Sequence, residues 1–305
     1  MTNALDKTVV ASCVVFVALS GWAAVGPGGL GLPLAAQVGV GAALVVLLLG
    51  HTWKHLGAPL FAAFFGTAAI IEWAFEQANI SFGGFIWGDI RYGDIGLFQA
   101  HLGDVAIAVP VLMAVLLWPT YVMINLLLDG RVVVSPRSMT WWQTLWHCAL
   151  YGFVHSWLML VFNGECERFG LYRWVGKSLN RPAADMFLGD PTAPRGWAIY
   201  VFVTMVVFTF VMVPLLGTAA LARADERALQ VSDGAPIVLF GTMGVTVHAN
   251  APNQTVGNVA LWTVGFFAVL VSYRFVAILR DQRQPAAVIG TPPSSAHNSV
   301  RTAPT

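Results

Sequence analysis

Residues Gly57 to Asn79, GAPLFAAFFGTAAIIEWAFEQAN, form an apolar run of membrane length that carries two carboxylates, Glu72 and Glu76, one helical turn apart near its end. An ionised carboxylate in hydrocarbon costs at least roughly 2.5 to 3.5 kcal/mol, so such a residue needs a compensating partner, water or a function. Glu72 is therefore read as the centre of a site.

The rest of the chain agrees with a membrane setting. Of 305 residues, 57% are hydrophobic and only 10% are charged, with a mean hydropathy of +0.70. A soluble domain carries about a quarter charged residues, so there is too little polar surface here to cover a water-exposed globule. The expected fold class is all-α, a polytopic transmembrane helix bundle. Strands of an outer-membrane barrel are not expected, because the apolar runs are continuous and lack a period of two. A net charge of +1 gives no long-range attraction to nucleic acid. The three cysteines, Cys13, Cys148 and Cys166, lack CxxC spacing and imply neither a disulfide framework nor a thiolate metal site. The first apolar stretch is long and lacks a small-residue cleavage pattern, which marks a retained span rather than a signal peptide.

A bilayer core of about 30 Å needs roughly 20 helical residues, and eight runs approach this length. They are Thr8 to Val25, Leu34 to Gly50, Gly57 to Asn79, Asp104 to Leu128, Thr140 to Asn163, Trp197 to Leu221, Ala235 to Ala251 and Val256 to Arg280. The second and seventh are short, so seven to eight spans are expected. Lys7, Lys54, Arg131, Arg137, Arg223, Arg227, Arg280, Arg283 and Arg301 fall on one side of such a bundle. The positive-inside bias then puts both termini in the cytoplasm of a multi-pass protein of a bacterial cell membrane. Residues 1–280 form the transmembrane domain. Residues 281–305, rich in Pro, Ala, Ser and Thr, read as a disordered cytoplasmic tail. Two outer connections, Ile80 to Gly103 and Gly164 to Gly196, interleave aromatics with Gly and Arg and suit the headgroup region, where together they are expected to roof a cavity.

With this orientation, Glu72, Glu76, His101, Asp104, His155, Glu165 and His248 are expected in one layer of the outer leaflet. Glu72 is the candidate acid, with Asp104, His101 and His155 as candidate catalytic partners. Trp87, Tyr92, Trp157, Glu76 and His248 are candidates for lining the substrate. Each has a plainer reading: Glu76 and Glu165 as interfacial groups, His248 as a helix-end residue, and the aromatics as part of an interfacial belt. His51 and His55, in GHTWKHLG, have the i, i+4 spacing of a helical metal pair. Beside Lys54 at the cytoplasmic end, they are read as a solvated helix end.

The segment IIEWAFEQANISFGGFIWGDIRYGDIGLFQAHLGDVAIAVPVLMAVLLW, residues 70–118, resembles the central signature of the bacterial and archaeal carotenoid biosynthesis membrane proteins, which include carotenoid hydratases. The resemblance lies in Glu72, Gly83, Gly84, Trp87, Tyr92, Leu102, Gly103, Val109, Pro110 and Trp118. A second fragment, FLGDPTAPRGW at Phe187 to Trp197, is similar to a later stretch of that family, and together the two cover about a fifth of the chain. The chain departs from the family in the fifth run, where GFVHSWLM with His155 replaces acidic residues. The resemblance implies a hydrophobic isoprenoid substrate and hydratase, or terpene-cyclase-like, lyase chemistry. Hydrating an isoprenoid alkene requires an acid to protonate one carbon and water to capture the cation. A carboxylic acid held away from water is suited to that step, and aromatic faces stabilise the cation.

Other classes use the same residues. His101, His155, His248 and Glu72 offer ligands for zinc or iron, in a metal-dependent membrane hydrolase or lipid oxygenase, although the acid reading requires no cofactor. Intramembrane carboxylates and histidines also serve proton-coupled transporters.

Overall fold

The computed structural model describes residues 2–25, 34–84, 88–93, 99–135, 139–168, 172–175, 201–209, 227–250 and 254–283. Helix α1 (Thr2–Val25) packs on α2 (Leu34–Ser81). The pair runs antiparallel, with Leu19 against Gly39, Val9 against Gly50 and Asp6 against Lys54. At Gly57 the backbone of α2 leaves helical geometry (φ 69°, ψ 170°). Glycine has no Cβ to oppose this conformation, and Pro59 just beyond it has no N–H to restore the helical bond. The kink brings Phe61 against Trp53, with ring centroids 5.1 Å apart, and Phe64 against Trp118.

Helix α3 (Ala108–Leu128) is buried over most of its length and is apolar on every side, as suits a helix surrounded by others. Helix α4 (Trp141–Arg168) runs antiparallel to it, pairing Asp129 with His147, Asn125 with Tyr151 and Thr120 with His155. A helical stretch over residues 201–209, α5, crosses α4 at Gly152, where a Cβ would stand 2.8 Å from the Met205 nitrogen. A 3-10 turn (Val231–Gly234) leads into α6 (Ala235–Asn250). The remaining described segment is α7 (Gln254–Ala260), a π turn (Leu261–Gly265) and α8 (Phe266–Arg283). Gly244 of α6 meets Gly265 at the π turn, where a Cβ on the former would stand 2.6 Å from the latter's nitrogen.

The chain is mostly helical, as expected. Four helical stretches are long and apolar enough to cross a membrane: Ala4–Trp22, Val38–Ser81, Ala108–Leu128 and Gly257–Gln282. The count of eight is not reached among the described residues, for identifiable reasons. The second and third runs are joined in α2, because the polar segment between them continues the helix instead of forming a loop. The seventh run gives only the 16 residues of α6, about 24 Å of helix. The fifth becomes α4, whose side chains beyond residue 159 lie largely outside the described residues, as does most of the sixth run. The expected tail is helical as far as Arg283, and everything from residue 284 lies outside the described residues.

Small strands occur where none were expected. β1 (Asp89–Tyr92) pairs antiparallel with β4 (Tyr172–Val175), which ties the two long connections together. β2 (His101–Leu102) and β3 (Val105–Ala106) form a tight hairpin turning at Gly103 (φ 65°).

Candidate functional site

Glu72 lies in α2 beyond the kink, half-buried, and makes no hydrogen bond to a described residue. One turn on, Glu76 is buried and accepts a hydrogen bond from the Tyr92 hydroxyl at 2.7 Å. Burial pushes the Tyr92 phenol well above its usual range, and the nearby Glu76 charge pushes it further, so the hydroxyl stays protonated and donates. The Tyr92 ring is 5.8 Å from that of His101. His101 is exposed, and its Nδ1–H donates to the Gln99 carbonyl at 2.9 Å. In the neutral ring this leaves Nε2 with a free lone pair.

Local structure holds this group in place. Gln77 clamps Asp104 twice, donating from Nε2 to its carboxylate at 2.9 Å and accepting its main-chain N–H at 3.0 Å. Trp73 donates to the Leu102 carbonyl, and Asn79 donates to that of Gly88. The hairpin carrying His101 and the strand carrying Tyr92 are therefore both fastened to the last turns of α2. Glu72, Glu76, Tyr92, His101 and Asp104 thus gather at one end of the bundle. Asp104 there is an exposed clamp, with its carboxylate engaged by Gln77.

The other expected members lie elsewhere. Beyond Gly57, α2 runs antiparallel to α3, with Gln77 level with Asp104 and Phe64 level with Trp118. Interpolation between these pairs puts Glu72 level with Pro110, whereas His155 bonds Thr120, ten residues further along α3. Ten residues of helix are about 15 Å, so the single layer expected from span lengths divides in two. His155 is fully buried, with Nδ1 3.2 Å from the Thr120 hydroxyl and Nε2 without a partner among the described residues. His248 is exposed on α6. Trp157 is half-buried and packs edge-on against Phe153. Trp87 and the Glu165 side chain lie outside the described residues.

A second constellation sits where a solvated helix end was expected. His51, Lys54 and His55 are all buried. The Lys54 ammonium lies 2.6 Å from Asp6 Oδ1, from Asp233 Oδ1 and from the Ser232 hydroxyl. His55 Nε2 bonds the same Asp233 oxygen at 2.9 Å, and Asp233 Oδ2 accepts the Gln230 main-chain N–H. Burial alone would push the Asp233 carboxyl up, but hydrogen bonds and charge from His55 and Lys54 outweigh it and hold the group below the usual carboxylate range. Two carboxylates and one lysine, with a histidine in contact, make an ionic knot joining α1, α2 and the start of α6.

His51, His55 and Asp233 are the one group of three ligand-type side chains within metal-binding reach among the described residues, with ligand atoms within 4.8 Å of one another. Their protonation does not suit a cation. The Trp118 indole N–H, a donor only, bonds His51 Nδ1 at 2.9 Å, so in the neutral ring Nε2 carries the proton and has no lone pair for a metal. A ligating histidine normally donates from its second nitrogen, the reverse of this arrangement. Lys54 already places a positive charge on the Asp233 oxygen. The alternative set of His101, His155, His248 and Glu72 is not brought together.

The knot was missed because Lys54 was counted as a loop charge. The available signal was that Asp6, Lys54 and Asp233 each fall next to the same face of the bundle in the eight-span ordering. No protein-family model, no curated protein and no solved structure matches the chain.

Proposed function

We propose that this is an integral membrane enzyme performing acid–base chemistry on a hydrophobic isoprenoid or lipid substrate. The observation that carries the reading is the pair of carboxyl groups one turn apart in unlike surroundings, Glu76 held by the Tyr92 hydroxyl and Glu72 with no donor among the described residues. Such a division separates the roles of charged and proton-bearing carboxyl. Glu72 donates its proton to one carbon of an alkene, leaving a tertiary cation on the other. Water then adds through oxygen and returns a proton to the Glu72 carboxylate, so that the substrate gains one water and the enzyme is unchanged. In this reading His101, whose ring lies beside that of Tyr92, orients that water through Nε2. With an internal alkene as the nucleophile, a ring forms instead, and a neighbouring C–H returns the proton. The resemblance of residues 70–118 to carotenoid biosynthesis proteins supports the substrate class, as does the position of Glu72 inside an apolar helix of membrane length.

The test is a comparison of extracted lipids and pigments from isoprenoid-producing cells with and without the chain. A new species heavier by one water, or isomeric with a new ring, is expected. An unchanged profile contradicts the proposal.

The ionic knot favours a second reading, proton-coupled transport, because buried ionisable groups in membrane helices commonly carry protons. Proteoliposomes under a pH gradient separate the two. Proton uptake that is lost in Asp233→Asn supports transport, and its absence supports the enzyme.

A further inference from the structure

At the end of the bundle opposite Glu72, the turn after α3, the residues before the 3-10 turn and the last turns of α8 border an open cavity of about 360 Å³ lined by Asp129, Arg131, Arg227, Arg274, Ile278 and Gln282. Its volume lies in the range of small-molecule pockets, roughly 300 to 1,000 Å³. Among the described residues, three guanidinium groups and one carboxylate line it, and His147 Nε2 bonds that carboxylate, Asp129 Oδ2, at 3.0 Å. Arg227 spends two N–H groups on long bonds of 3.3 Å to the Lys54 carbonyl and the Gln230 side chain, out of five that a guanidinium offers. The ionic knot thus orients it through the backbone of α2. Gly130, at φ 69°, lets the chain turn beneath Arg274, whose Nη2 would stand 3.8 Å from a Cβ there. A single arginine would serve to offset the carbonyls at the end of α3. Arg227 and Arg274 add two more at the same cavity.

The depth of the cavity is informative. Glu72 is level with Pro110 and the cavity begins at Asp129. Nineteen residues of helix between them are about 28 Å, close to the thickness of a bilayer core. The cavity therefore lies at the level of the second headgroup layer, on the side richest in arginine and lysine. Planar, forked guanidinium groups match phosphate oxygens in pairs, and basic pockets between membrane helices bind phosphorylated headgroups. We propose that this cavity binds a phosphate-bearing group, either the headgroup of an anionic phospholipid or a soluble phosphate ester or diphosphate.

The experiment uses the full chain in nanodiscs and reads its thermal transition. One arm compares phosphatidylcholine with increasing phosphatidylglycerol; the other adds inorganic pyrophosphate to phosphatidylcholine discs. Wild type is expected to be stabilised in at least one arm. Stabilisation by phosphatidylglycerol alone assigns a lipid headgroup, and stabilisation by pyrophosphate assigns a soluble ligand. Arg131→Gln and Arg274→Gln, both at exposed positions, are each expected to weaken that ligand about fivefold, and Arg280→Gln, outside the cavity, to leave it unchanged. No stabilisation of wild type in either arm overturns the proposal. So does a response that the two cavity variants share undiminished with wild type.

Discussion

Replacing Lys54 by Met tests the ionic knot without changing the size of the buried side chain greatly. Asp6 and Asp233 each hold an oxygen 2.6 Å from the ammonium, so once it is removed their charges face one another at about 5 Å or less. At an effective dielectric of about 20, that repulsion is about 3 kcal/mol. The figure falls within the roughly 3 to 5 kcal/mol seen when one partner of a buried pair is deleted. For a chain of this size, about 3 kcal/mol corresponds to a fall in Tm of roughly 6 to 12 °C. The assay is thermal unfolding in detergent at neutral pH and fixed scan rate, read by fluorescence. Adding Asp233→Asn to Lys54→Met removes the repulsion and is expected to restore at least half of the loss, because the site then holds one carboxylate beside His55 rather than two. A single variant within about 2 °C of wild type would refute the reasoning, and so would a double variant worse than the single.

The depressed Asp233 carboxyl implies a pH dependence. Its folded value lies below the unfolded one, so its contribution is fully present above about pH 4 and fades as pH falls through the folded value. Tm measured from pH 6 downward should drop more steeply below about pH 4 in wild type than in Asp233→Asn; parallel curves would count against the account. Tyr92→Phe removes the donor to buried Glu76 and should cost about 1.5 to 3 kcal/mol, visible as a lower Tm with less product formed. A Tyr92→Phe variant as stable and active as wild type would break the link between the β1 strand and the site. Gly130→Ala forces a Cβ into a left-handed position 2.8 Å from Ile278 Cδ1, and should cost about 1 to 2 kcal/mol from the backbone alone. An unchanged Tm would show that the turn adjusts freely.

Local composition made the helical class legible, because apolar runs of membrane length carry their own backbone hydrogen bonds wherever they pack. It did not reveal how the runs are joined. The segment HTWKHL between the second and third runs reads as a loop on hydropathy, yet it is helical and, apart from Trp53, buried, since the Lys54 charge is met by Asp6 and by Asp233, some 180 residues away. No window along the chain contains that information. The end of α2 was more readable. Glu72, Glu76, Tyr92, His101 and Asp104 are near in sequence, and short-range contacts through Gln77 and Trp73 gather them. His155 was misplaced because depth was counted from span ends, whereas its level is fixed by its bond to Thr120 on α3. The β1–β4 pairing joins residues 80 to 86 apart, and nothing in either tetrapeptide specifies its partner.

The proposed proton-bearing role of Glu72 is tested most directly by Glu72→Gln, which keeps the shape of the side chain and removes the exchangeable acid. The chain and the variant are expressed in the same isoprenoid-producing cells, matched for membrane-inserted protein and Tm, and their extracts are compared by mass spectrometry. The account predicts that the hydrated or cyclised product made by wild type disappears with Glu72→Gln while the protein stays folded. Equal product from both would contradict it.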